Sequence, residues 1–113
     1  AMNVNDLICV GAEPISMLDY VAVEALDGPM LEAIGRGLHE GAVQAGITIS
    51  GGELAQIGAM LKGVVDGKAF DLAGVALGTI SLKAVNLGES VQPGDVVVGL
   101  GSSGIHSNGM PLI

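Results

Sequence analysis

Hydrophobic spacing along the chain fixes an order of elements before any residue suggests chemistry. In residues 2–10 (MNVNDLICV), Val4, Leu7 and Ile8 recur at helical spacing, with Cys9 and Val10 close to the same face, so the stretch predicts the end of a helix. Gly11 suits the left-handed position that closes a helix, and Pro14 forbids continuation. Residues 15–24 (ISMLDYVAVE) change to period two. Ile15, Met17, Val21 and Val23 share one face, and Leu18, Tyr20 and Ala22 the other. Both faces are mostly apolar, which predicts a strand interior to a sheet and covered on both sides. Asp19 breaks the pattern and reads as a ligand or, preferably, as a carboxylate satisfied by nearby backbone.

Asp27-Gly28-Pro29 signals a helix start, with Asp as cap and Pro in the first turn. The helix runs to about Ala45, carried by Met30, Ile34, Leu38 and Ala42. Gly35, Gly37 and Gly41 each cost about 1 kcal/mol against alanine in a helix, which predicts a glycine side packed tightly on a sheet. Gly46 ends it. Residues 47–50 (ITIS) predict a short strand, with Gly51-Gly52-Glu53 presenting a carboxylate just beyond its end. Residues 61–82 predict a hairpin about a type I′ turn at Asp66-Gly67. Gly74 and Gly78 fall on one face of its long second arm, where they permit the sharp bending of a closed barrel. A polar connector over residues 85–92 leads into Pro93-Gly94, and Val96, Val97 and Val98 predict a short buried strand. The order implies an α+β fold, a mixed sheet with helices on one face.

Composition narrows the function. Half of the 113 residues are hydrophobic, yet Tyr20 and Phe70 are the only aromatics, so the core is aliphatic. Nineteen glycines exceed the usual share of about 7% and suggest close backbone approaches and ligand loops. Twelve acidic residues against four basic ones give a formal charge of −8, which argues against a nucleic-acid surface. The same balance suits a phosphate held through metal ions on carboxylates. The lone Cys9 permits no internal disulfide and makes a cytoplasmic setting the default. No apolar run reaches the length of a membrane span.

The densest candidate chemistry lies in residues 95–109 (DVVVGLGSSGIHSNG). A valine strand there runs into glycines, hydroxyls, an imidazole and an amide, a setting in which backbone N–H groups can hold an anion. Gly99, Gly101 and Gly104 match the spacing of a dinucleotide loop, but the acidic partner about 20 positions later has no place in this sequence. A plain glycine-rich turn is the better reading of those three. There is no G-x-x-x-x-G-K-[ST], no G-x-S-x-G and no Cys/His cluster. His39 stands beside Glu40 on a polar stretch and reads as a surface residue. What remains is a set of oxygen and imidazole groups at element ends: Asp6, Glu53, His106, Ser107 and Asn108. Hard carboxylates suit Mg²⁺, which commonly brings phosphates with it.

In order along the chain stand VND (4–6), GAEP (11–14), LDY (18–20), GGE (51–53), DLAG (71–74), PGD (93–95) and SSGIHSNG (102–109). Together they resemble the aminoimidazole ribonucleotide synthetase, or phosphoribosylformylglycinamidine cyclo-ligase, family of purine biosynthesis. VND and PGD are shared with a wider ATP-binding superfamily that includes thiamine-monophosphate kinase, selenophosphate synthetase and a hydrogenase maturation factor. GGE with SSGxHSNG is the more specific pair. The resemblance implies a homodimeric, ATP- and Mg²⁺-dependent enzyme acting on formylglycinamidine ribonucleotide, with the sheets of two subunits forming a barrel. It places Asp6 near Mg-ATP, with Asn5, Gly51, Gly52 and Ser107 as nucleotide contacts. It places Glu53 near the metal or substrate, Asp71 as a further metal candidate, and His106 and Asn108 at the reacting group or its phosphate. Residues 1–113 would then form a partial N-terminal ATP-binding domain, without the family's upstream DGVGTK-like segment and its C-terminal domain, and would be inactive alone. Where the family commonly reads GGETAEMPG, this chain reads GGELAQIGA, with Leu54 in place of a hydroxyl and Gln56 in place of a carboxylate. The alternatives are another ATP-using member of the superfamily or a non-catalytic dimerisation module.

Overall fold

A computed structural model describes residues 1–102 and 104. Five elements follow in order: α1 (Met2–Cys9), β1 (Glu13–Val23), α2 (Gly28–Ala45), β2 (Thr48–Gln56) and β3 (Phe70–Thr79). The three strands form one mixed sheet in the order β2-β1-β3, with β1 parallel to β2 and antiparallel to β3. Both helices lie over the sheet face that carries Met17 and Asp19. Met17 lines a groove with Val4 of α1 and Leu38 of α2, and Asp19 lines a depression beside Leu38 and Ala42. The α+β reading, with helices on one face of a mixed sheet, therefore holds.

The helix ends follow from local chemistry. Gly11 takes φ +83°, donates its N–H to the Ile8 carbonyl at 2.9 Å, and lets Ala12 donate to Leu7 at 3.0 Å. At the end of α2, Gly46 takes φ +67°, and Ile47 donates to Ala42 at 3.0 Å. Both ends satisfy carbonyls that the last helical turn leaves without partners. The α2 start is capped by Asp27 Oδ1, which accepts the Met30 N–H at 2.8 Å.

The core is small: Val4, Ala12, Val21, Ala22 and Val23 are buried. It lies at the contact of α1 with the sheet and along the end of β1. Here Gly74 and Gly78 leave room on β3 for groups of α1 and β1. A Cβ on Gly74 would overlap Met17 Cε and crowd Asn3, and one on Gly78 would lie 2.7 Å from the Glu13 carbonyl oxygen. Asn3 Nδ2 donates to the Gly74 carbonyl at 2.6 Å. Bare backbone on β3 thus lets α1 lie close on the sheet.

Six expectations are corrected. β2 does not stop at residue 50 but continues through Gly51-Gly52-Glu53 to Gln56, because β1 offers a parallel ladder along that whole length. Residues 61–82 are not a hairpin: β3 pairs with β1, and the 57–69 segment between β2 and β3 contains no strand. The turn at Asp66-Gly67 exists, with Lys68 N–H on the Val65 carbonyl at 3.1 Å, but only Gly67 has positive φ, which excludes type I′. Val96, Val97 and Val98 form no strand and are 85%, 96% and 79% exposed. The α2 glycines are not pressed on the sheet, since a Cβ on Gly35, Gly37 or Gly41 would meet nothing within 4 Å. Finally, β1 is covered on one face only. On the other, Leu18 and Tyr20 stand beside Val75 and Ala73 of β3, and Leu18, Tyr20, Val75 and Leu77 are exposed. One face of an otherwise aliphatic sheet is left bare.

Candidate functional site

The parallel register of β1 and β2 decides where the GGE motif points. Ser16 pairs with Thr48 and Met17 with Ile49, but Leu18 pairs with Gly51, so Ser50 is an extra residue. This bulge is bridged by a hydrogen bond between the Ser16 and Ser50 hydroxyls at 2.8 Å. Beyond it Gly52 pairs with Asp19, where a Cβ would overlap the Asp19 carboxylate and lie 2.7 Å from its carbonyl oxygen. The second glycine is what allows β2 to run against β1 at this aspartate. Glu53 then pairs with Tyr20 and emerges on the bare face of the sheet.

Asp71 reaches the same face from the other side of β1, through its pairing with Ala22. Glu53 and Asp71 therefore stand on one face, on the two strands that flank β1, and both are exposed. Glu53 Oε1 accepts the N–H of Leu54 at 3.0 Å, a local bond that leaves most of its acceptor capacity open. Asp6 and Asn5 belong to α1, in the layer on the opposite face; Asp6 is exposed, and Asn5 lines the groove between the two helices. Among the described residues, no three His, Cys, Asp or Glu side chains come together as a metal site. His106, Ser107 and Asn108 lie outside the described residues.

Leu54 and Gln56 pair with Val21 and Val23, so both turn to the helix face, away from Glu53. These two departures within β2 thus leave the Glu53 side of the sheet unaltered. Asp19 corrects another expectation: its carboxylate makes no hydrogen bond to backbone among the described residues and lies over Gly52. It lines a depression of about 440 Å³ together with His39, which is exposed as expected. Asp19 joins the candidate residues, and the signal for it was present in the sequence as the one charge inside the apolar β1 run.

Glu24 had no such signal. Its side chain is 4% exposed and accepts from Lys62 Nζ at 2.7 Å, from Gly67 N–H at 3.0 Å and from Ala69 N–H at 3.5 Å. The Lys62 bond holds the Glu24 carboxyl below its ordinary range, with burial opposing and the two amides assisting. Lys62 is raised in turn, chiefly by the same bond. Asp27 is lowered first by its bond to Lys68 and then by the capped Met30 N–H. The lysine partners stand 38 and 41 residues away in sequence, and no spacing rule links them.

Similarity to known proteins follows the same regions. The family described as AIR synthase related protein, N-terminal domain, matches residues 1–80. The chain belongs to that family. A phosphoribosylformylglycinamidine cyclo-ligase of Thermococcus kodakarensis is 52% identical over 112 residues, 99% of this chain and 32% of the relative. One from Methanocaldococcus jannaschii is 51% identical over 112 residues, 99% of this chain and 30% of the relative. The chain thus spans about a third of the length of the curated relatives it matches. Among solved structures, the hydrogenase maturation protein HypE in complex with ATP superposes with a TM-score of 0.65 at 26% identity, over 82% of this chain and 27% of that one. A second structure of HypE gives 0.64 at 27% identity, over 81% and 27%. The mixed sheet with its two helices is thus shared between an AIR synthase related domain and HypE. No helix among the described residues is long and apolar enough to cross a membrane.

Proposed function

We propose that this AIR synthase related domain is part of a phosphoribosylformylglycinamidine cyclo-ligase, which uses ATP to close the imidazole ring of formylglycinamidine ribonucleotide. The observation that carries this reading is identity of 52% sustained over 99% of the chain to a protein of that name. The identity to HypE is half as great, and the GGE and HSNG segments favour the cyclo-ligase over other members of the superfamily. That Leu54 and Gln56 face away from Glu53 supports an unchanged substrate.

In this reading ATP activates the formamide oxygen, an amidine nitrogen attacks the same carbon, and ADP and phosphate leave. Such chemistry rests on positioning and charge stabilisation. Asp6 and Asn5 in the middle of α1 serve the nucleotide side. Gly51 and Gly52 give close approach along β2, and Glu53 is held at the bare face for metal or substrate, with Asp71 across β1 from it. His106 donates to the activated oxygen or accepts the proton released by the attacking nitrogen, as an imidazole can near neutral pH. Asn108 and Ser107 bind the reacting group or its phosphate.

Asp6, Glu53 and Asp71 fit Mg²⁺ in donor type, since each offers an exposed carboxylate. They fit as single ligands beside phosphate oxygens and water, the usual Mg²⁺ arrangement, and not as a protein cage. The ion, when bound with ATP, would neutralise charge on the phosphate being transferred.

The exposed Leu18, Tyr20, Val75 and Leu77 support a homodimer in which two such sheets meet as a barrel, which would bring Glu53 and Asp71 to the subunit interface. A monodisperse monomer of the full-length enzyme by light scattering would contradict it. A cytoplasmic setting agrees with the exposed, unpaired Cys9. Residues 1–113 carry only part of the proposed site, so turnover belongs to the full-length enzyme. The deciding experiment is ATP-dependent ring closure by that enzyme, beside its His106→Ala variant. Turnover is expected to fall by roughly 10²- to 10⁴-fold, with little change in melting temperature. A variant that melts much earlier while its folded fraction turns over normally would make His106 structural.

A further inference from the structure

Residues 57–69 cross from β2 to β3 as a strap over the end of β1. The strap buries little of its own. Met60 is 85% exposed, Val65 62%, and Val64 is fully exposed. Its backbone touches the end of β1 through Ile57 N–H on Val23 and through the Ala69 carbonyl, which accepts the Glu24 N–H, both at 2.9 Å. Gly58 lies so close that a Cβ there would be 2.5 Å from the Glu24 carbonyl oxygen.

Against this sparse packing stands a concentration of polar contacts. Lys62, Gly67 and Ala69 all donate to the Glu24 carboxylate, and Lys68 donates to Asp27, the residue that caps α2. The partners are unevenly buried: Glu24 is 4% exposed, whereas Lys62 is 67% exposed. A segment with few apolar contacts and solvent-facing bonds opens locally before the sheet does. Here the side-chain bonds that hold the segment down all run to two carboxylates of the β1–α2 connection.

We propose that Glu24 and Asp27 form a two-point latch, so that residues 57–69 open and close as one unit while β1, β2 and β3 stay paired. Glu24 is the main point, because it grips the strap at Lys62 and at the Gly67–Ala69 turn together. Asp27 is the outer point. The charged groups on this latch are Lys62 and Lys68 from the strap, with Asp66 acting on Lys62 from the same turn. The latch is independent of the catalytic assignment.

The test is residue-resolved hydrogen exchange on the full chain and its Glu24→Gln variant, which keeps the side-chain shape and removes the charge. The Gly67 and Ala69 amides are expected to exchange roughly 10- to 100-fold faster in the variant, as follows from losing bonds to a charged acceptor. Tyr20 and Val21 in β1 are expected to be unchanged. Unaltered exchange at Gly67 and Ala69 would overturn the latch. Equal acceleration in β1 would overturn it too, because Glu24 would then hold the whole sheet. If Glu24→Gln does not fold, Lys62→Gln carries the same comparison, with a smaller acceleration expected in the same segment and the same two contrary results.

Discussion

At Gly78 of β3 an added Cβ would sit 2.7 Å from the Glu13 carbonyl oxygen and 3.2 Å from Leu7 Cδ1; at Gly35, Gly37 and Gly41 of α2 it would meet nothing within 4 Å. In the first region glycine is a packing requirement. The backbone of β3 and the side chains of α1 share a space too narrow for a methyl group, and two of the domain's few buried residues, Val4 and Ala12, belong to this region. In the second region glycine lowers helix stability with no compensating contact among the described residues. No residue of α2 is fully buried, and Val43 is 66% exposed. The same residue type thus marks a contact made inside this domain and a surface that this domain leaves open. Spacing alone separates neither case, because it records where a side chain is missing and not what lies opposite.

The contrast can be broken by substitution. The largest effect is expected at Gly78→Ala, where the obstacle is backbone and cannot rotate away. A loss of about 1–3 kcal/mol is the usual scale for forced overlap in a packed site. Denaturant unfolding of the variant measures it, and an unchanged midpoint would remove Gly78 from the packing account. Gly41→Ala is expected to move the other way, with a gain of about 1 kcal/mol from helix propensity in open space. If it weakens the full-length enzyme while leaving the isolated domain stabilised, the open side of α2 is a contact surface in the larger protein.

The latch residues sharpen the comparison at its acid end. Glu24 and Asp27 have lowered pKa values, so their contribution is fully present above their ordinary values of 4.5 and 3.8 and is lost as pH falls through the lowered ones. Lys62 is raised, so its share is complete below 10.5 and is lost only as pH rises beyond it. A melting-temperature profile is therefore expected to be flat between about pH 5.5 and 9.5 as far as these three groups are concerned, falling first on the acid side. In Glu24→Gln the acid fall is expected to shrink; an identical acid limb in both proteins would remove Glu24 as its source. The smallest effect is expected for Asp27→Asn, which keeps a capping oxygen for Met30 and removes only the charge toward the half-exposed Lys68. A melting shift of a few degrees at most would agree with that. A large one would show that the outer latch point carries the start of α2.

Of the proposed site, the motifs were legible but their placement was not. GGE reads in sequence as a carboxylate presented just beyond a strand end, and the structure adds what its second glycine does, since a Cβ at Gly52 would overlap Asp19. Its position was misread, as a turn beyond a strand, because the parallel ladder to β1 that carries β2 through both glycines is non-local. The common face of Glu53 and Asp71 was not legible at all. It depends on β3 pairing with β1, whereas the Asp66-Gly67 signal pointed to a hairpin partner next in sequence.

What the sequence by itself determined is the part that one or two turns of chain can enforce. Gly11 and Gly46 close helices by accepting positive φ, Asp27 caps α2 with a side chain three residues from its donor, and Gly67 supplies the turn. These choices involve atoms within a few residues of each other, so residue identity suffices. The tertiary structure decided which strands pair, which sheet face is covered, and which charges meet. Val96–Val98 have the composition of a strand but no pairing, while Glu24, one charge at the end of an apolar run, is buried because Lys62 and two amides of the 57–69 segment arrive to meet it. Hydrophobic periodicity fixes which side of an element prefers to be buried; the partner that buries it is fixed by distant parts of the chain, and for the bare face of this sheet the chain itself supplies none among the described residues.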